Sequence, residues 1–168
     1  MSVIPLTILM AEDDEGHATL VKRNLVRAGI ANTIVHVTDG QQALDFVFAE
    51  GEFAGRKAVG PLLLMVDINM PRVDGIEVLR RVKQCPATAK LPVVVLTTTD
   101  DPREVARCYE LGCCVYVTKP VECLDFIEAI QRLGLFLQIV TAPIEGMPIY
   151  EDNQRCVSVT VQASFPQP

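Results

Sequence analysis

Five short apolar runs punctuate the chain, and helically spaced apolar positions separate each run from the next. The first run, Leu6–Met10, leads into the acidic cluster Glu12-Asp13-Asp14-Glu15. Beyond it, Leu20, Leu25 and Val26 alternate with Lys22, Arg23 and Arg27, which predicts an amphipathic helix starting near Asp14 and closing at Gly29. Thr33–Val37 alternates as a second strand, and Asp39-Gly-Gln-Gln42 is a capping-box-like start for a helix through Ala43, Leu44, Val47 and Phe48. Gly51–Gly60 reads as a glycine-bearing loop. Leu62–Val66 is continuously apolar, as expected of a strand covered on both faces. Asp74-Gly-Ile-Glu77 opens a third helix, Pro92–Leu96 is the fourth strand, and Asp101-Pro-Arg-Glu104 starts a helix with proline in its first turn. That helix stops at Gly112, Cys114–Val117 forms the fifth strand, and a last amphipathic helix covers 122–137.

Strands alternating with helices imply right-handed crossovers and a doubly wound parallel sheet of the α/β class, with helices on both faces. Residues 1–140 hold this domain. From Thr141 the composition changes: 4 of the 11 prolines, Pro143, Pro148, Pro166 and Pro168, fall in residues 141–168. That segment reads as a C-terminal extension outside the core, with one strand at Val157–Val161.

Composition narrows the function. With 168 residues, 49% of them hydrophobic and 21% charged, the chain can bury a full core and is not a disordered segment. Its longest apolar runs, Pro61–Val66 and Val93–Leu96, are far shorter than the ~18 residues of a membrane span. A net charge of −6 without a basic cluster argues against nucleic acid as a partner. No basic export signal precedes Glu12, so a cytoplasmic, reducing location is expected. Cysteines at 85, 108, 113, 114, 123 and 156 form no C-x-x-C pair, and His17 and His36 are the only histidines. The cysteines therefore read as small hydrophobes rather than a metal site, and alternation turns one of the pair Cys113-Cys114 inward. Serines occur only at Ser2, Ser158 and Ser164, which leaves a serine hydrolase without a nucleophile in the body of the chain. No G-x-G-x-x-G or phosphate-binding G-x-x-x-x-G-K-[ST] motif occurs.

Candidate chemistry lies where the strands end. In an open parallel sheet, side chains just past the carboxyl ends of strands meet in a crevice where the strand order reverses. Those positions hold Glu12 and Asp13 after the first strand, Asp67 after the third, Thr97 after the fourth and Lys119 after the fifth. Carboxylates ~4 Å apart repel by about 4 kcal/mol at an effective dielectric near 20, so three together call for a cation or for raised pKa values. An all-oxygen donor set with room for water suits Mg²⁺. The ion would draw in a phosphoryl group, with Lys119 and Thr97 as donors to its oxygens. Asp14 could simply cap the first helix, whereas Asp67 is followed by Ile-Asn-Met-Pro before any helix and so has no such duty.

The segments "ILMAEDD", "LLLMVDINMPRVDG", "PVVVLTTTDD" and "CCVYVTKP" resemble the receiver domain of two-component response regulators over residues 4–137. The resemblance implies a flavodoxin-like strand order of 2-1-3-4-5. It implies Asp67 as phosphoacceptor, Asp13 as direct metal ligand, Glu12 as a ligand through water and Asn69 as a backbone-carbonyl ligand. Thr97 resembles the hydroxyl that moves onto the phosphoryl group, Tyr116 the aromatic that follows it, Lys119 the phosphate-binding lysine, and Lys119–Pro120 a bond that is cis in the family. Asn69 and Thr99 occupy positions where the family tunes access of the hydrolytic water. Tyr116 could equally be a packing aromatic, His17 reads as a solvated surface residue, and His36 as packing or edge-exposed.

By the same resemblance the chain is a switch rather than a turnover enzyme, phosphorylated by a partner histidine kinase and signalling through protein contacts. The insert "FAEGEFAGRKAVGP" and the stand-alone format are similar to regulators paired with bacterial phytochromes. A phosphorylation-independent receiver-like module is the alternative, against which the intact acidic set stands. A haloacid-dehalogenase-type phosphatase needs a second Asp two residues after the nucleophile, where this chain has Asn69. Finally, Leu133–Val140 is apolar or glycine at all but one position, which predicts a second cover for the last helix. Either the extension folds back over it or a second chain does, and a homodimer through helix 4, strand 5, helix 5 and the extension is the expected solution.

Overall fold

A computed structural model describes residues 6–27, 32–57 and 59–118 of the chain. Its strands are β1 (Thr7–Ala11), β2 (Ile34–Val37), β3 (Leu62–Val66), β4 (Val93–Thr97) and β5 (Val115–Thr118), and its helices α1 (Glu15–Arg27), α2 (Gly40–Phe48), α3 (Gly75–Gln84) and α4 (Pro102–Leu111). All five strands are parallel, in the order β2-β1-β3-β4-β5. This is the expected flavodoxin-like sheet, each strand lying within a residue or so of its predicted place. The last helix over 122–137, the bond Lys119–Pro120 and the extension 141–168 lie outside the described residues.

Register explains how continuous apolar strands fill two cores. Leu9 pairs with Leu64 and Ile8 with Leu63, so alternate residues of neighbouring strands share a face. Leu9, Leu64, Val66, Val95 and Tyr116 face Ala43, Leu44 and Phe46 of α2, Val78, Leu79 and Val82 of α3, and Cys108 of α4. Ile8, Met10, Leu63, Met65 and Val94 face Ala18, Val21 and Leu25 of α1. Each large side chain so buried contributes roughly 1.5–3 kcal/mol relative to exposure.

Local signals end the helices as the sequence indicates. Asp39 accepts from the Gln42 amide at 2.8 Å and Asp74 from the Glu77 amide at 2.8 Å. Asp14 accepts from the His17 amide at 2.9 Å and Asp101 from the Arg103 amide at 2.9 Å. Gly112 closes α4 in the left-handed region at φ 103°. There the amides of Gly112 and Cys113 donate back to the carbonyls of Tyr109 and Cys108, the pattern of a Schellman end.

Two expectations need correction. Val26 does not join the buried stripe of α1 and is 66% exposed, because the face that meets the sheet is Ala18, Val21, Asn24 and Leu25. Nor is Gly51–Gly60 merely a loop. It contains a 3₁₀ turn at Gly51–Phe53, packed edge-on to Phe46 with ring centroids 5.1 Å apart. Arg56 stacks its guanidinium over Phe46 at 4.4 Å and donates to the carbonyls of Phe46 (2.6 Å), Val47 (3.5 Å) and Lys57 (3.2 Å), thereby capping the end of α2. The described cysteines behave as small hydrophobes: Cys108 and Cys113 are buried, and Cys85 and Cys114 half-buried. Burial pushes the Cys108 thiol up to about 11, so it stays protonated.

Candidate functional site

The sheet delivers the acidic residues to one edge. Ala11 and Val66 are register partners, so the residues that follow them, Glu12 and Asp67, emerge side by side at the switch point of the strand order. Two backbone bonds carry the ladder one step past the strands: Asp67 N–H donates to the Ala11 carbonyl at 3.0 Å, and Glu12 N–H to the Val37 carbonyl at 3.0 Å. Carboxylate oxygens of Glu12, Asp13 and Asp67 lie within 4.8 Å of one another. Glu12 and Asp67 are buried and Asp13 is exposed. At that separation each pair repels by roughly 3–4 kcal/mol at an effective dielectric near 20, a cost that a cation relieves. The donors are hard oxygens and one of them faces solvent, which fits a small divalent ion that keeps part of its water. The acidic set expected from the sequence is therefore assembled, and it fits Mg²⁺.

The surrounding loops are tightly specified. Gly75 lies against the turn that leaves Asp67: its amide donates to the Ile68 carbonyl at 2.8 Å, and a Cβ there would overlap the Asp67 carbonyl oxygen. Thr97 is fully buried and its hydroxyl accepts from the Thr99 amide at 3.3 Å. Asn69 and Thr99, the two positions expected to control water, meet across the site with the Asn69 amide nitrogen 3.5 Å from the Thr99 hydroxyl. Tyr116 is buried in the core, its hydroxyl donating to the Thr99 carbonyl at 2.7 Å and its backbone N–H donating to the Tyr109 hydroxyl at 3.2 Å. Burial raises both phenols above their ordinary range, so both stay neutral. Lys119 and Pro120 lie outside the described residues.

Sequence reasoning missed the contacts of three residues near the site. His36 is neither simple packing nor a bare edge residue: its Nε2 is 2.8 Å from the Glu12 carbonyl and its Nδ1 3.4 Å from the Lys22 ammonium. A carbonyl accepts and an ammonium donates, so the proton sits on Nε2. His17 is half-exposed, with Nδ1 3.9 Å from a Glu12 oxygen, closer to the acidic set than a solvated surface residue. Arg72 adopts a left-handed φ of 67°. A histidine on an edge strand or an arginine in a loop gives no local signal of such contacts.

Comparison with known proteins agrees with this geometry. Residues 8–131 match the family described as "Response regulator receiver domain". The response regulator Rcp1 of Synechocystis is 35% identical over 140 residues, covering 83% of this chain and 94% of Rcp1. The Mn²⁺-bound form of Rcp1 superposes with a TM-score of 0.75 over 83% of this chain and 99% of that one, at 34% identity. A receiver domain from Rhodospirillum rubrum gives 0.74 at 48% identity, covering 82% and 96% of the two chains. The phosphorylated cyanobacterial phytochrome response regulator RcpA gives 0.72 at 28% identity, covering 82% and 96%.

Proposed function

The chain belongs to the response regulator receiver domain family, and from that premise we propose that it is a phosphorylation switch whose acceptor is Asp67 and whose donor is the phosphohistidine of a partner histidine kinase. The convergence of Glu12, Asp13 and Asp67 on one edge of the sheet carries the reading. Glu12, Asp13, Asp67 and the backbone carbonyl of Asn69 are the residues that would hold Mg²⁺, which when bound neutralises phosphoryl oxygens and brings them against the acidic edge.

In the transfer, a carboxylate oxygen of Asp67 forms a bond to phosphorus as the phosphorus–nitrogen bond of the phosphohistidine breaks, and the electron pair of that bond stays on the imidazole nitrogen. The Thr97 hydroxyl and the Lys119 ammonium donate to the remaining phosphoryl oxygens. The product is an acyl phosphate on the protein itself, a labile mark rather than a released product. Asn69 and Thr99, whose side chains meet at 3.5 Å, would set how readily water reaches the acceptor.

Similarity to the phytochrome response regulator RcpA supports a kinase of the bacterial phytochrome kind as donor. Output passes through protein contacts, with a homodimer through α4, β5, the helix expected over 122–137 and the extension as the signalling surface. Among the described residues, no helix is long and apolar enough to cross a membrane.

The decisive experiment labels the purified chain with acetyl phosphate, with Mg²⁺ and with EDTA, and reads the adduct by mass spectrometry. Label on wild type with Mg²⁺ and none on Asp67→Asn is expected. Equal labelling of the two removes Asp67 as acceptor, and absence of any label favours a phosphorylation-independent module. Transfer from purified phytochrome kinases then tests the donor. Light scattering on wild type and Phe136→Asp tests the dimer, which a monomeric wild type at tens of micromolar excludes.

A further inference from the structure

We propose that Asp39 and Arg72 form a latch through which α2 fixes the loop carrying Asn69, and that both are positioning residues for the cation site; the inference rests on the reading of that site given above.

The loop between β3 and α3 is folded by its own backbone into two successive tight turns. Met70 N–H donates to the Ile68 carbonyl at 3.1 Å and Val73 N–H to the Pro71 carbonyl at 2.9 Å, each spanning three residues. Asn69 is at the centre of the first turn and Arg72 at the centre of the second. An i to i+2 turn with a positive φ at its centre is a rare and strained conformation, and the φ of 67° falls on an arginine rather than a glycine. Such a conformation persists only where its surroundings over-determine it.

Those surroundings come from α2. The Arg72 guanidinium donates to Asp39 Oδ2 at 3.2 Å, while Oδ1 of the same carboxylate accepts the Gln42 amide at 2.8 Å and caps the helix. One buried carboxylate thus serves the helix with one oxygen and the loop with the other. Beside it, Gly40 lets the helix start touch the loop backbone, since a Cβ there would overlap the Val73 carbonyl oxygen. The latch holds the turn at Arg72, and Asn69 lies three residues upstream in the same short segment. None of these residues belongs to the acidic set, so they act on where the Asn69 carbonyl is held.

Electrostatics and positioning make opposite predictions for Arg72. As a nearby cation it opposes binding of another cation, so deleting its charge alone would tighten Mg²⁺ binding. Loss of the latch would weaken it. Arg72→Ala retains a Cβ, and with it the steric cost of the positive φ, while removing the contact. Asp39→Asn keeps a good helix cap but removes the charge from the pair.

The test is a Mg²⁺ titration by calorimetry of the full chain, the two single variants and the double variant, with thermal stability measured in parallel; the chain has no tryptophan to report binding by fluorescence. Each single variant is expected to weaken Mg²⁺ binding roughly three- to tenfold, at or below the loss seen when a direct outer-shell partner is removed. The double variant should be no weaker than the weaker single one. Unchanged or tighter binding by Arg72→Ala overturns the latch while leaving the site intact. So does a fully additive double variant, or a loss of thermal stability with unchanged affinity. A wild type that binds no Mg²⁺ overturns the site and the latch together.

Discussion

The phenolic hydroxyl of Tyr116 donates a 2.7 Å hydrogen bond to the backbone carbonyl of Thr99, tying β5 to the loop that leaves β4. The ring lies in the core and its tip reaches the loop, so packing and loop control are two ends of one side chain. Tyr116→Phe should keep the packing and lose the tie. The expected cost is about 1 kcal/mol in urea unfolding, with faster amide exchange over residues 98–101 and Asp67 labelling retained. Unchanged exchange in that loop would remove the tie from the account.

Gly75 allows no side chain. Gly75→Ala places a methyl group on the Asp67 carbonyl, and either the turn after Asp67 or the start of α3 must move. A loss of about 1–3 kcal/mol is expected, together with weaker Mg²⁺ binding, because the displaced segment carries a ligand. Gly55→Ala serves as the control: a Cβ at Gly55 meets nothing within 4 Å, so Mg²⁺ binding should be unaffected.

Asn24 sits in α1 at 1% exposure, and among the described residues neither Oδ1 nor Nδ2 has a hydrogen-bond partner. A buried amide without partners costs about 1–3 kcal/mol. Asn24→Leu should therefore raise unfolding free energy by about 1 kcal/mol, measured by urea denaturation. A destabilised variant would show that the amide is satisfied in solution.

On α3, hydrogen bonds from Arg80 and then Arg81 hold the Glu77 carboxyl down at about 2, against an ordinary value of 4.5. A depressed folded-state pKa means the carboxylate stabilises the fold above about pH 4.5, and that this contribution fades as pH falls towards about 2. The stability gap between wild type and Glu77→Gln should therefore be full at neutral pH and shrink on acidification. A gap that stays constant from pH 7 to pH 3 would assign it to helix packing instead.

Much of this architecture was legible in the chain because its signals are local. Asp39, Asp74 and Asp101 each cap the helix they precede, and Gly112 closes α4, since each needs only its own few residues to act. Glu12, Asp13 and Asp67 were legible for a different reason: parallel strands of matched length bring their carboxyl ends to one edge, whatever fills the core. What escaped were contacts between segments far apart in sequence. The bond from His36 to the Glu12 carbonyl and the pair Arg72–Asp39 depend on register between β2 and β1 and on how α2 meets the following loop. The outward turn of Val26 escaped because Leu25 and Val26 are adjacent, about 100° apart around the helix, and the pattern does not say which of the two meets the sheet. Arg56 escaped because a single arginine can cap a helix and stack on a ring only once the chain has doubled back.

The hydrogen bond from the Tyr116 amide to the Tyr109 hydroxyl also bears on how far the sheet can grow. β5 is the last strand of the described sheet, and an outermost strand with open amides is a template for another chain. At Tyr116 the amide is already occupied by a phenol from the helix above it. A newcomer aligned on β5 would have to evict that phenol before it could add a rung there. The end of the sheet is blunted in the middle of its last strand, so a second copy that docks here is met by side chains and not by an extended ladder.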